Sequence, residues 1–178
     1  MSPNAVKDQI AVIDIGSNAV RLVIFDRLDR APVRLHNERN ICSLGADLGT
    51  TGKLSAEGVE KALVSIARFA GLIDALGIKR VFAVGTAALR DAANGAEFIA
   101  RVKKEFGFTI RLIEGEEEAR LSALGVLMNG LGNEGIIGDY GGGSLELIGI
   151  DGGKVKLAGL LPRGAEAALK QKAAAPVE

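Results

Sequence analysis

The sequence has 178 residues, enough for one good core or one core plus part of another, and its 48% apolar and 25% charged content is ordinary for a globular protein. Lys plus Arg equals Asp plus Glu at 22 each, which excludes the global basic field that drives binding to nucleic acid or anionic membranes. One cysteine, Cys42, and one histidine, His36, exclude an internal disulfide framework and a multi-histidine metal site. No apolar stretch resembles a signal peptide or approaches the roughly 18 residues of a membrane span, so a cytoplasmic address without membrane contact is expected.

In chain order, Ile10 to Ile15 is a short apolar run that predicts a buried strand, and Ala19 to Phe25 returns as its hairpin partner. Pro32 to Ile41 reads as a third strand. Cys42 to Lys53, rich in glycine and threonine, is expected to be a mobile surface loop. Ser55 is an N-cap for a helix whose apolar stripe runs through Val59, Leu63, Ile66, Phe69, Ala70 and Ile73 and stops at Gly77. Strand Arg80 to Val84, helix Ala87 to Ala93, helix Ala96 to Phe106, strand Thr109 to Ile113 and helix Glu116 to Met128 come next. The resulting βββαβαβα order predicts an α/β fold with a mixed sheet covered on both faces.

After a glycine-rich link, the opening theme returns. Ile136 to Tyr140 and Ser144 to Ile150 flank Gly141, Gly142 and Gly143, which read as the tight turn of a hairpin. With Gly142 and Gly143 as the loop residues, Asp139 and Glu146 fall opposite one another, their Cβ atoms about 4.5 to 5.5 Å apart. Two opposed carboxylates repel unless a cation or a proton lies between them, and a divalent metal is the economical answer. The turn itself, stripped of side chains, offers backbone N–H groups to an anion. Aligned without gaps, Ile13 to Val23 falls on Gly138 to Ile148, with Asp14 on Asp139 and Gly16 on Gly141. Arg21 stands where Glu146 stands, so the first hairpin pairs unlike charges and only the second needs a metal. A turn at Asp151 to Gly153 leads into a further strand, Lys154 to Leu161, and Pro162 to Gly164 precede a helix from Ala165. The repeat predicts a first domain over residues 1–132 and the truncated start of a second over residues 133–178, their turns facing across a cleft.

Four segments together resemble the exopolyphosphatase / guanosine pentaphosphate phosphohydrolase family: Ala11 to Asn18, Gly85 to Asn94, Gly115 to Arg120, and Asp139 to Glu146. They occur in the family's order and run through most of the chain. The resemblance implies two ribonuclease-H-like domains of the actin, sugar kinase and heat-shock chaperone ATPase superfamily, enclosing a phosphate-binding cleft. It assigns Glu118 the role of general base and Arg90 that of phosphate-gripping residue. Asp139 and Glu146 match metal-binding carboxylates for Mg²⁺ or another divalent cation. Ser17, Asn18, Gly141, Gly142, Gly143 and Ser144 match loops that hold phosphoryl oxygens. The substrate implied is inorganic polyphosphate or a phosphorylated guanosine nucleotide. Two departures stand out: Leu145 replaces a threonine usual in that turn, and the family's second domain is much longer than residues 133–178.

Read without the family, several residues have plainer explanations. Glu116, Glu117 and Glu118 complement the dipole of a helix N-terminus, and Arg90 suits a solvated helix face. Asp14 and Arg21 suit a structural cross-strand pair. A non-catalytic phosphate or nucleotide sensor and a sugar-kinase-like ATPase are the competing functions. Exposed edges of an incomplete second sheet invite self-association into a homodimer.

Overall fold

A computed structural model of the chain describes residues 8–128, 130, 134–140 and 144–162. The expected helix from Ala165 and the turn residues Gly141 to Gly143 lie outside the described residues. Contacts divide the chain into two compact units, residues 1–114 and 115–178.

In the first unit, strands β1 (Ile10–Ile15), β2 (Ala19–Phe25) and β3 (Arg34–Ile41) form an antiparallel meander. Strands β4 (Arg80–Gly85) and β5 (Ile110–Leu112) join in parallel on the other side of β1, giving the order β3-β2-β1-β4-β5. This is the mixed sheet expected of a ribonuclease-H-like domain. One set of alternating side chains, Ala11, Ile13, Ile15, Val20, Leu22 and Ile24, is buried, as the two-residue period of a strand requires.

Between β3 and β4 lie a single turn of helix, α1 (Leu48–Thr51), and the long α2 (Ala56–Ala75). The Ser55 hydroxyl caps α2 by accepting from the Gly58 N–H at 3.5 Å. Ala62, Leu63, Ile66, Phe69 and Ile73 form its buried stripe, and Gly77 closes it at φ 67° while Ile78 N–H reaches back to Ile73 O at 3.0 Å. Helices α3 (Ala87–Asp91) and α4 (Gly95–Phe106) come after β4, and Phe98 and Val102 of α4 join the same core.

The opposite sheet face carries exposed positions. Phe82 is 48% exposed and Asp14 is exposed too, so the described helices of this unit cover one face only. Helix α5 (Gly115–Leu127) belongs to the second unit. There its small residues Ala119 and Ala123 sit against Ile148 and Ile150 of a three-stranded sheet, β6 (Gly135–Tyr140), β7 (Ser144–Asp151) and β8 (Lys154–Pro162). The compact unit therefore begins at Gly115.

A difference from expectation concerns Cys42 to Lys53, most of which lies on the surface as expected but whose first residues are buried. Cys42 and Leu44 are 2% and 0% exposed, and the segment contains α1. Its backbone N–H groups take up the carbonyls of the β1–β2 turn, which no strand reaches.

Two junctions in this unit carry sharp expectations. A Cβ added at Gly95 would meet Leu89 O at 1.9 Å and the carbonyl carbon at 2.9 Å. Backbone cannot swing aside as a flexible side chain does, so Gly95→Ala should cost about 2 kcal/mol or more and lower the melting temperature by at least about 4 °C. A thermal melt indistinguishable from the parent's would refute that packing. The second junction ties β3 to α2: Arg68 Nε donates to Glu38 Oε1 at 2.8 Å. Arg68, then Asn40 and His36, hold the Glu38 carboxyl below its ordinary range against the opposing effect of burial. A lowered folded pKa contributes stability above the unfolded value of about 4.3 and loses it as pH falls through the folded one. Because Arg68 is exposed, the melting difference between parent and Glu38→Gln should correspond to only about 0.2–1 kcal/mol at neutral pH and shrink progressively as pH falls below the unfolded value of about 4.3.

Candidate functional site

The first unit gathers its candidate residues at the C-terminal ends of its parallel strands. Ile15 of β1 and Gly85 of β4 are register partners, and Thr86 N–H donates to Ile15 O at 3.3 Å. Beyond Ile15 the chain turns through Ser17 and Asn18, closed by Gly16 N–H to Ala19 O at 3.0 Å. Neither residue takes a positive φ, so this turn accommodates polar side chains where the second hairpin has glycines. Asp14 is opposite Arg21 in the β1–β2 register, and Arg21 Nε donates to Asn37 Oδ1 on β3 at 2.8 Å.

Beyond Gly85 and Thr86, α3 carries Arg90. Its guanidinium is anchored rather than freely solvated: Nε donates to Asp91 Oδ1 at 3.0 Å and Nη1 to the Ile113 carbonyl at 3.0 Å, with Glu114 Oε2 at 3.7 Å. A planar fork fixed at two points presents its other donors in a set direction, the property that suits arginine to phosphoryl oxygens.

The second unit holds the carboxylates. Strands β6 and β7 pair with Asp139 opposite Glu146 and Tyr140 opposite Leu145. That register is the one set by a two-residue loop centred on Gly142 and Gly143. Asp139 is half-buried, and its Oδ2 accepts a hydrogen bond from Ser122 Oγ of α5 at 2.5 Å. Glu118 precedes Ser122 by four residues on that helix, so their Cβ atoms are about 5–6 Å apart on one face. Helix α5 thereby brings Glu118, itself half-buried, to the side of the sheet that carries Asp139. Gly141, Gly142 and Gly143 are outside the described residues, as are the side chains of Ser144 and Glu146.

Oxygen is the only donor type in this set. Two carboxylates without sulfur or imidazole fit Mg²⁺, which is usually held by one or two carboxylates and completes its octahedron with water and substrate phosphate. Among the described residues no group of three or more His, Cys, Asp or Glu is placed to hold a metal by itself. Sequence reasoning missed Ser122 and the tethers of Arg90. The available signal for Ser122 was its spacing, one helical turn beyond Glu118.

The sheet order of the first unit and the repeated three-strand opening after it define an α/β protein of the actin-like fold. An ethanolamine utilization protein, EutJ, from Carboxydothermus hydrogenoformans shares the fold at a TM-score of 0.55 and 19% identity, covering 99% of this chain and 59% of its own. The Ppx/GppA phosphatase family matches residues 23–173, and the chain belongs to that family.

Exopolyphosphatase 1 of Mycobacterium bovis is 32% identical over 142 residues, covering 78% of this chain and 41% of its own length. A guanosine-5'-triphosphate,3'-diphosphate pyrophosphatase of Aliivibrio fischeri is 30% identical over 149 residues, covering 83% and 30%. The crystal structure of the Aquifex aeolicus Ppx/GppA family member superposes with a TM-score of 0.78 at 35% identity, over 92% of this chain and 54% of that one. The chain thus spans less than half the length of the two curated relatives.

Proposed function

We propose that the chain carries the phosphoanhydride-hydrolysing machinery of this family, releasing terminal phosphate from inorganic polyphosphate, from guanosine pentaphosphate, or from both, with Mg²⁺. We read residues 1–132 as a first ribonuclease-H-like domain and residues 133–178 as the start of a second. The observation that carries the functional reading is the opposed pair Asp139 and Glu146, with Asp139 bonded through Ser122 to the helix that bears Glu118.

Phosphoanhydride hydrolysis depends on positioning and on neutralising charge more than on covalent chemistry, because the leaving group is already good. Asp139 and Glu146 would hold the metal, which when bound draws charge from the phosphoryl oxygens. Ser17, Asn18 and Arg90, with the backbone of Gly141, Gly142, Gly143 and Ser144, would bind the phosphoryl oxygens. Glu118 would accept a proton from the attacking water at its carboxylate and orient it.

Leu145 supports a second reading, a phosphate-binding chain without turnover, because an apolar side chain stands where the resemblance to the family implies a threonine hydroxyl. One experiment separates the two: phosphate release from tripolyphosphate and from guanosine pentaphosphate, measured with and without EDTA, alongside calorimetric binding. Saturable, chelator-sensitive release supports hydrolysis. Magnesium-dependent binding without release supports the second reading, and neither binding nor release refutes both.

A further inference from the structure

The carbonyls of the Ser17–Asn18 turn face one loop, the segment after β3. Cys42 N–H and Ser43 N–H both donate to Asn18 O at 2.9 Å, and Gly45 N–H donates to Ser17 O at 2.8 Å. Ser43 takes a φ of 57°, the one positive value among the described non-glycine residues, and its hydroxyl donates to Asn18 Oδ1 at 3.5 Å. The segment is held from behind as well. Ser55 N–H donates to Leu44 O at 2.9 Å, and a Cβ on Gly58 of α2 would sit 2.9 to 3.0 Å from the backbone of Ser43, Cys42 and Leu44. Farther on, Ala93 N–H donates to Gly52 O at 2.9 Å and Leu54 N–H to Asn94 Oδ1 at 2.7 Å, just past the helix that carries Arg90.

Within this framework Gly45 is the point of closest approach. A Cβ there would lie 2.1 Å from Ser17 Oγ and 3.3 Å from Ser17 Cβ. Gly45 is not among the glycines with positive φ, so room for its neighbour, not backbone freedom, is what requires a glycine.

We propose that Gly45 is a positioning residue, whose missing side chain lets the Ser17 hydroxyl keep the rotamer in which it binds a phosphoryl oxygen of a linear polyphosphate. The inference rests on the reading of the Ser17–Asn18 turn as an anion site. Any side chain at position 45 must drive Ser17 Oγ into another staggered well, and the rest of the loop, fixed by its backbone bonds, cannot retreat to make space.

The test is a double-mutant cycle on the full chain, read by calorimetry with tripolyphosphate and Mg²⁺ and by the Ser17 χ1 angle from NMR three-bond couplings. A hydrogen bond to a charged oxygen is worth enough that Gly45→Ala and Ser17→Ala should each weaken binding by about tenfold. The double variant should bind no more weakly than Ser17→Ala alone, and Ser17 χ1 should change well in Gly45→Ala. Penalties that multiply in the double variant, or a Gly45→Ala chain with parental affinity and parental χ1, overturn the proposal. Should Gly45→Ala fail to fold, a double variant that folds and binds like Ser17→Ala supports the clash with the hydroxyl, and a double variant that also fails overturns it. A parent that takes up no tripolyphosphate overturns the anion reading of the turn, while χ1 still decides whether Gly45 sets that hydroxyl.

Discussion

Glu118→Gln is expected to lower phosphate release at saturating tripolyphosphate by roughly 10²- to 10⁴-fold, the range of a lost general base, with KM nearly unchanged. Glutamine keeps the size and hydrogen-bonding reach of the side chain and removes only its capacity to accept a proton. The competing explanation of the three acids at the head of α5 predicts a different pattern. As complements to the helix dipole, Glu116, Glu117 and Glu118 would be interchangeable, each worth about 0.3–1 kcal/mol of stability and nothing in rate. Glu116 is exposed, whereas Glu118 is half-buried one turn from the serine that binds Asp139. Glu116→Gln therefore serves as the control, with expected release close to the parent's. Equal rates for Glu118→Gln and the parent would remove Glu118 from the reaction.

Asp139→Asn should separate metal binding from folding. Magnesium at about 100 times its dissociation constant stabilises a protein that binds it only when folded by about 2.7 kcal/mol, which is about 5–10 °C of melting temperature for a chain of this size. The parent should show that rise and Asp139→Asn should lose it together with chelator-sensitive phosphate release. In EDTA the order reverses. With one of two opposed carboxylates neutralised, repulsion across β6 and β7 is relieved, and the new amide oxygen still accepts from Ser122. Asp139→Asn should then melt no lower than the parent. A variant that responds to magnesium as the parent does, or that is less stable in its absence, would sink the assignment.

The parts of the fold legible in the sequence are those written in periodicity and in turn chemistry. Alternation from Ile10 to Phe25 marks β1 and β2, and helical spacing from Ser55 to Gly77 marks α2 almost to the residue. The opposition of Asp139 and Glu146 comes from counting outward from Gly142 and Gly143, because a hairpin's register is set by its loop. Other features left weaker traces. Ala119 and Ala123 bury α5 in the second unit, but alanines carry little apolar signal, so that packing is hard to read from the sequence. Cys42 to Lys53 has the composition of a loop, yet its first residues, Cys42, Leu44 and Gly45, are buried, because backbone bonds from Cys42, Ser43 and Gly45 to Asn18 and Ser17 hold them and no side-chain pattern records those bonds. Arg90 is similar: one of its anchors is the main-chain carbonyl of Ile113, for which the sequence has no mark.

The two hairpins share a design and differ in the sign of one charge, Arg21 against Glu146. The first ribbon sets an acid against a base and needs nothing from solution to balance the pair. If the second holds a divalent ion as we propose, its firmness would report how much of that ion the surrounding solution supplies.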